Sequence, residues 1–116
     1  MKSVIIIEDD IDASNTLNDV CEINNIKVLA KGYNGEEAIK LFKQHKPDVV
    51  LLDVMMPKYD GFYAIDGIQK IEKDAKIIAV TASVDQETLD KLAKLNVTVI
   101  LKPYDINDIA NAVNTC

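Results

Sequence analysis

Polar side chains able to do phosphoryl chemistry stand at the ends of four separate apolar runs in this sequence. They are Glu8, Asp9 and Asp10 after the first run, Asp53 after the third, Thr81 at the end of the fourth and Lys102 after the fifth. Carboxylates are hard oxygen ligands, and a carboxylate beside a divalent cation can attack phosphorus. If these residues meet in space, they could form an aspartyl phosphate in a metal-assisted reaction.

Asp53 is the centre of this set. The run Val49-Val50-Leu51-Leu52 leads directly into it, and apolar runs of this kind are typical of strands buried on both faces. Pro57 cannot continue a central strand, so the chain must leave the sheet within a few residues. We therefore expect Asp53 at the carboxyl end of a central strand, with its backbone next to the core and its carboxylate next to solvent.

Strands and helices must alternate along the chain to bring these residues together. Apolar runs predict strands over 3–7, 26–30, 49–53, 76–81 and 97–101. Helical periodicity predicts helices over about 11–24, 36–44, 62–71 and 85–95 and a last helix after Asp105, with Asp60 and Asp105 as N-caps. Strict alternation favours a doubly wound α/β domain with a parallel sheet, whose working site lies at the carboxyl ends of the strands.

Crowded carboxylates at such an edge repel one another, so their ionised forms need a cation. Oxygen ligands without a sulfur or histidine cluster suit Mg²⁺, which accepts one or two carboxylates and a phosphate oxygen. Lys102 and Thr81 would then supply the ammonium and the hydroxyl that stabilise the charge of a phosphoryl group on Asp53.

Composition indicates one globular domain over residues 1–116 and excludes several other classes. No apolar run is long enough to cross a bilayer, and the first residues lack the pattern of a signal peptide, so we expect a cytoplasmic protein without membrane insertion. Thirteen lysines, no arginine and nineteen acids give a net charge of −6, which argues against direct nucleic-acid binding. Cys21 and Cys116 form neither a disulfide framework nor a metal spacing.

The sequence resembles the receiver domain of two-component response regulators. The resemblance rests on motifs that span nearly the whole chain in the right order: Ile5-Ile6-Ile7-Glu8-Asp9-Asp10, Leu51-Leu52-Asp53-Val54-Met55-Met56-Pro57, Asp60-Gly61, Thr81-Ala82 and Lys102-Pro103. It implies a flavodoxin-like fold with five parallel strands in the order 2-1-3-4-5 and five helices. It also implies a protein that is not an enzyme, beyond self-phosphotransfer and autodephosphorylation.

The resemblance implies a role for each site residue. Asp53 is the phosphoacceptor for a histidine kinase or phosphotransfer protein, and a downstream effector reads the result. Asp9 binds Mg²⁺ directly, Glu8 acts mainly through water, and Met55 contributes its backbone carbonyl. Thr81 turns towards the phosphoryl group, Lys102 pairs with it, and the Lys102–Pro103 bond is cis. The resemblance assigns no role to Asp10, which could equally cap the first helix or bind at the site.

One position departs from the family pattern. The family usually has an aromatic residue three positions before the lysine, and this residue rotates inward when the threonine moves. Here that position is Val99, whose branched side chain has few rotamers and no ring. Tyr104 follows Lys102-Pro103, where the family commonly has an aromatic residue, and this position is distinct from the switch position. The usual coupling between threonine and aromatic ring is therefore in doubt.

Several functions remain open on the sequence alone. The chain could be a stand-alone regulator, similar to chemotaxis or phosphorelay proteins, or a piece of a longer one. A phosphatase that forms an aspartyl phosphate would want a second acid at Met55. A flavin or nucleotide module would want Gly, Ser or Thr in the first loop instead of Glu8-Asp9-Asp10. A pseudo-receiver would bind partners without phosphorylation, and Val99 keeps that reading open.

Overall fold

The computed structural model describes residues 1–57, 60–82 and 85–115. Strands and helices alternate throughout this part of the chain. The strands are β1 (Ser3–Ile7), β2 (Lys27–Gly32), β3 (Val49–Leu52), β4 (Ile77–Thr81) and β5 (Thr98–Leu101). The helices are α1 (Ile11–Ile23), α2 (Gly35–His45), α3 (Asp60–Ile71), α4 (Gln86–Lys94) and α5 (Ile106–Thr115).

All five strands run parallel in one sheet with the order β2-β1-β3-β4-β5. The doubly wound architecture and the strand order are therefore confirmed. The largest difference from the sequence prediction is β2, which ends at Gly32 and not near residue 30. The longer strand brings the carbonyl of Gly32 alongside the end of β1, where it accepts a hydrogen bond from Glu8 N.

Two apolar layers cover the sheet because successive side chains of each strand point to opposite faces. Ile5, Val50 and Ile77 face the layer that includes buried residues of α2, α3 and α4. Ile6 and Leu51 face the layer formed with α1 and α5. β1, β3 and β4 are buried along almost their whole length, which explains their unbroken apolar sequences.

Side-chain caps fix where several helices begin. The carboxylate of Asp10 accepts from the backbone N–H groups of Asp12 and Ala13, so the residue that the sequence left between capping and binding is the N-cap of α1. Asp85 caps α4 in the same way. Asp105 directly precedes α5, and its N–H donates to Asp108 Oδ2, which is half of a capping box.

Asp60 does not fill its predicted position as the N-cap of α3. It is the first residue of the helix, and its carboxylate accepts a hydrogen bond from Gly35 N at the start of α2. The prediction failed because a local pattern shows the preference for an acid near a helix start, but not a partner twenty-five residues away.

The structure also describes one of the two cysteines and the length of the helices. Cys21 is buried in the layer between α1 and the sheet and is a free thiol, whereas Cys116 lies outside the described residues. None of the helices formed by the described residues combines the length and apolar character needed to span a bilayer.

Candidate functional site

Backbone hydrogen bonds bring the ends of β1, β3, β4 and β5 to one edge of the sheet. Asp53 N donates to Ile7 O at 3.0 Å, which places Asp53 beside the end of β1. Lys102 N donates to Thr81 O at 2.8 Å, which places Lys102 beside the end of β4. The site residues therefore occupy fixed positions in the register of a buried sheet and do not depend on long loops.

Three carboxylates meet at this edge. One oxygen each from Glu8, Asp9 and Asp53 lie within 4.8 Å of one another. Glu8 is buried, Asp53 is partly buried and Asp9 is exposed, so the cluster runs from the core to the surface. This is the arrangement that the sequence predicted for a cation site, and its oxygen-only donors suit Mg²⁺.

Both carboxylate oxygens of Glu8 are already hydrogen-bonded within the protein. Glu8 Oε1 accepts from Lys102 Nζ at 2.8 Å, and Glu8 Oε2 accepts from Asp10 N at 3.2 Å. Asp9 sits next to Glu8 in sequence but is exposed to solvent. The geometry thus separates a buried acid, hydrogen-bonded at both oxygens, from an accessible one.

Among the described residues of this cluster, the ammonium of Lys102 faces three carboxylates, so negative charge is in excess. Burial, with a further contribution from the charge of Asp53, raises the pKa of Glu8 to about 7, although the hydrogen bond from Lys102 lowers it. Burial lowers the pKa of Lys102, but the hydrogen bond and charge of Glu8 outweigh it, so that its pKa is raised and the ammonium stays charged. Negative charge remains in excess, and a divalent cation would relieve it.

Asp53 is held by contacts at both of its oxygens. Asp53 Oδ1 accepts from Met55 N at 2.9 Å, and Asp53 Oδ2 lies 3.7 Å from Lys102 Nζ. The longer distance marks an ion pair without a direct hydrogen bond. The side chain of Met55 is exposed, and its backbone N–H is the group that contacts Asp53.

The hydroxyl of Thr81 is fully buried, and among the residues that the structure describes it has no hydrogen-bond partner. A buried hydroxyl without a partner is costly, and in native proteins such groups are uncommon. Thr81 ends β4, next to the backbone of Lys102. An unused donor at this position is what a site for an added anionic group would contain.

The structure separates Tyr104 from Val99, the position where the family usually has an aromatic. Val99 packs against the layer of α2, α3 and α4, and Tyr104 packs against the layer of α1 and α5, on the other face of the sheet. Tyr104 therefore cannot take over the position of Val99, as expected. The Lys102–Pro103 peptide bond is cis, also as expected.

Two contacts at the site were not predicted from the sequence. The ion pair between Lys102 and Glu8 joins residues 94 positions apart, and the hydrogen bond from Gly35 to Asp60 joins the first residues of α2 and α3. The available signals were the charges at the strand ends, the Asn34-Gly35 turn and the Asp60-Gly61 motif, but none of them specifies a partner.

Comparison with known proteins agrees with this geometry. Residues 4–114 match the family described as the response regulator receiver domain. The chain is 36% identical over 112 residues to the probable C4-dicarboxylate response regulator DctR of Bacillus subtilis, covering 95% of this chain and 50% of that protein. It is 32% identical over 114 residues to the chemotaxis protein CheY of Thermotoga maritima, covering 97% of this chain and 95% of that protein.

A solved structure supports the same assignment. The chain superposes with a TM-score of 0.90 and 26% identity on a chain of the CheX-CheY-BeF3-Mg²⁺ complex from Borrelia burgdorferi, covering 98% of this chain and 87% of that one. The chain belongs to the response regulator receiver domain family. Receiver domains are signalling domains, generally not enzymes, and are Mg²⁺-dependent in general.

The acid cluster yields a metal-binding prediction with a matched control. Asp9→Asn should weaken Mg²⁺ binding by about tenfold or more, because it removes the accessible carboxylate. Asp10→Asn removes the same charge one residue away, but asparagine is an equally good N-cap, so affinity should stay close to wild type. Calorimetric titration of all three proteins measures the difference, and equal affinities of the two variants would refute the assignment.

The buried hydroxyl yields a stability prediction. Thr81→Val should leave the free energy of unfolding unchanged or raise it by up to about 1 kcal/mol, because it removes an unpartnered buried polar group. Thr98→Val, at an exposed position of β5, is the control and should change stability by less than about 0.5 kcal/mol. Urea unfolding measures both. A loss of more than about 1 kcal/mol in Thr81→Val would mean that the hydroxyl has a partner within the folded protein.

Proposed function

We propose that this chain is a phosphoacceptor signalling domain in which Asp53 takes a phosphoryl group from a histidine kinase or phosphotransfer protein. The observation that supports this most is the convergence of Asp53 with Glu8, Asp9 and Lys102 at one edge of the sheet. The unpartnered hydroxyl of Thr81 at the same edge adds a donor for the incoming group. Receiver-family membership makes this chemistry the expected one.

The proposed reaction is a direct transfer between two residues. An oxygen of Asp53 forms a bond to phosphorus while the bond from phosphorus to the donor imidazole nitrogen breaks. The imidazole keeps the bonding electron pair and gains a proton from solvent. Lys102 Nζ, 3.7 Å from Asp53 Oδ2, and the Thr81 hydroxyl then stabilise the charge of the acyl phosphate.

The residues present fit Mg²⁺ through their chemistry and spacing. Carboxylates of Asp9 and Asp53 and the backbone carbonyl of Met55 would hold the ion, and Glu8 would act through water. When bound, Mg²⁺ neutralises charge on the phosphoryl oxygens. The relative from Borrelia burgdorferi was crystallised with Mg²⁺ and BeF3, which supports the same assignment here.

The proposed partners and cellular compartment follow from the phosphoacceptor role. Receiver domains interact with histidine kinases and effectors, and we propose both classes as partners of this chain. Residues 1–116 would act as one receiver domain in the cytoplasm, without direct nucleic-acid contact, consistent with the net charge of −6. The chain spans half the length of the DctR relative but nearly all of the CheY relative, so the activity of the whole protein is part of the proposal.

Val99 lacks the ring that usually couples to Thr81. The helix that follows Thr81 in the chain is α4, and we propose that the signal leaves through this helix. Only Leu92 is buried among the residues of α4. Among the described residues, Lys91 Nζ of α4 lies 4.1 Å from the ring centre of Phe62 of α3, and Gln69 Nε2 of α3 donates to Leu95 O, just after α4, at 2.7 Å. A helix that buries a single side chain can shift at low cost when the end of β4 rearranges.

The two competing functions have less support. A phosphatase of similar topology would want an acid at residue 55, where an exposed methionine side chain stands. A pseudo-receiver that never takes phosphate would have no use for the unpartnered hydroxyl of Thr81 beside Lys102. Neither alternative accounts for the site as well as phosphoryl transfer does.

Incubation with acetyl phosphate and Mg²⁺ tests the proposal. The wild-type mass should rise by one phosphoryl group, and Asp53→Asn should show no increase because it lacks the nucleophile. Asp10→Asn, which keeps Asp53 and the helix cap, should be modified like the wild type. Intact-protein mass spectrometry distinguishes these outcomes, and an unmodified wild type or a modified Asp53→Asn would contradict the proposal.

A further inference from the structure

The carboxylate of Asp60 joins the start of α3 to the start of α2. Gly35 N donates to Asp60 Oδ2 at 3.2 Å, across 25 positions of sequence. Asp60 is partly buried and faces the first turn of a helix, where unpaired N–H groups and the helix dipole favour a negative charge. The side chain therefore links two elements and does not cap its own helix.

Close backbone packing makes this link rigid. A Cβ atom added at Gly35 would lie 2.6 Å from the carbonyl oxygen of Asp60, so the two helix starts touch through their backbones. A Cβ atom added at Gly61 would lie 2.4 Å from Val54 Cα and 2.9 Å from Val54 O. The first turn of α3 is therefore in direct backbone contact with Val54, with no side chain between them at Gly61, and any approach of the turn would displace Val54.

The turn that donates to Asp60 is itself fixed. Tyr33 N donates to Glu37 Oε1 at 2.7 Å, and Glu37 N donates to Asn34 Oδ1 at 2.8 Å. The two residues before Gly35 are therefore both hydrogen-bonded to the first turn of α2. At the other end, Gly32 O accepts from Glu8 N at 3.0 Å, which ties the turn to the acid cluster. Asp60 is thus attached to a rigid support that also positions Glu8.

Val54 lies between the two residues of β3 and its following loop that the proposed function uses. Asp53 supplies the carboxylate and Met55 the backbone carbonyl, and Met55 N donates to Asp53 Oδ1. We propose that Asp60 is a positioning residue for the metal site: by accepting from Gly35 N, it holds the first turn of α3 against Val54 and so sets the positions of Asp53 and Met55. This inference rests on the proposed function.

Mg²⁺ titration of three variants tests the inference without phosphoryl transfer. Asp60→Ala removes the acceptor and should weaken Mg²⁺ affinity by about tenfold, the scale seen when residues that orient metal ligands are lost. Asp60→Asn removes the charge but keeps an oxygen acceptor, so affinity should remain near wild type. Asp66→Ala removes a charge from the same helix at an exposed ion pair with Lys70, and it should also bind like wild type.

Hydrogen exchange at single amides adds a readout in the metal-free protein. The amides of Gly35 and Met55 should lose protection in Asp60→Ala and keep it in Asp60→Asn and Asp66→Ala. If Asp60→Ala does not fold, Asp60→Glu replaces it: the charge stays, but the extra methylene displaces the first turn of α3, so Mg²⁺ affinity should still fall.

The inference is overturned if Asp60→Ala, or Asp60→Glu in its place, binds Mg²⁺ as tightly as Asp66→Ala. It is also overturned if Asp60→Asn is as weak as Asp60→Ala, because charge and not the hydrogen bond would then matter. Either result with a wild type that accepts phosphate leaves the proposed function intact. A wild type that binds no Mg²⁺ and accepts no phosphate would instead remove the proposed function.

Discussion

The ion pair between Lys102 and Glu8 is the interaction on which the site depends. At 2.8 Å it is the closest of the contacts that Lys102 makes with the acids, and it brings a cation from the end of β5 to the end of β1, across the two strands between them. Without it, three carboxylates would share one edge with no opposing charge, and burial would favour protonation of Glu8. The hydrogen bond from Lys102 lowers the pKa of Glu8 against the effect of burial, and it leaves Lys102 within 3.7 Å of Asp53.

The stable core of the sheet supports an edge at which some polar groups are crowded or lack hydrogen-bond partners. The core strands are buried along nearly their whole length, and backbone hydrogen bonds fix Asp53 and Lys102 in register. That stability supports features that cost free energy at the edge, namely crowded acids and the unpartnered hydroxyl of Thr81. A cation and an anionic group would satisfy both features, which is why their joint presence points to phosphoryl chemistry and not to structure alone.

Much of the fold and site could be predicted from sequence because the signals were local. An unbroken apolar run ending in Asp53 indicates a buried strand, and strand alternation with helices brings the strand ends together. The partner of Asp60 could not be predicted, since it depends on how two helix starts meet. The same holds for Glu8 and Lys102, whose pairing follows from the assembled sheet. Val99 lies within β5, whereas Tyr104 lies beyond its end, after the cis Lys102–Pro103 bond, so the opposite faces on which the two side chains pack depend on the folded chain.

The central claim is that the phosphoryl group is attached to Asp53 and not to another acid of the cluster. Reduction of the phosphorylated protein with borohydride converts an aspartyl phosphate to homoserine, and peptide sequencing by mass spectrometry then locates the altered residue. Homoserine is expected at position 53 alone, in the peptide that contains Leu52 and Val54. Homoserine at position 9 or 10, or none at all in a protein that has gained phosphate, would contradict it.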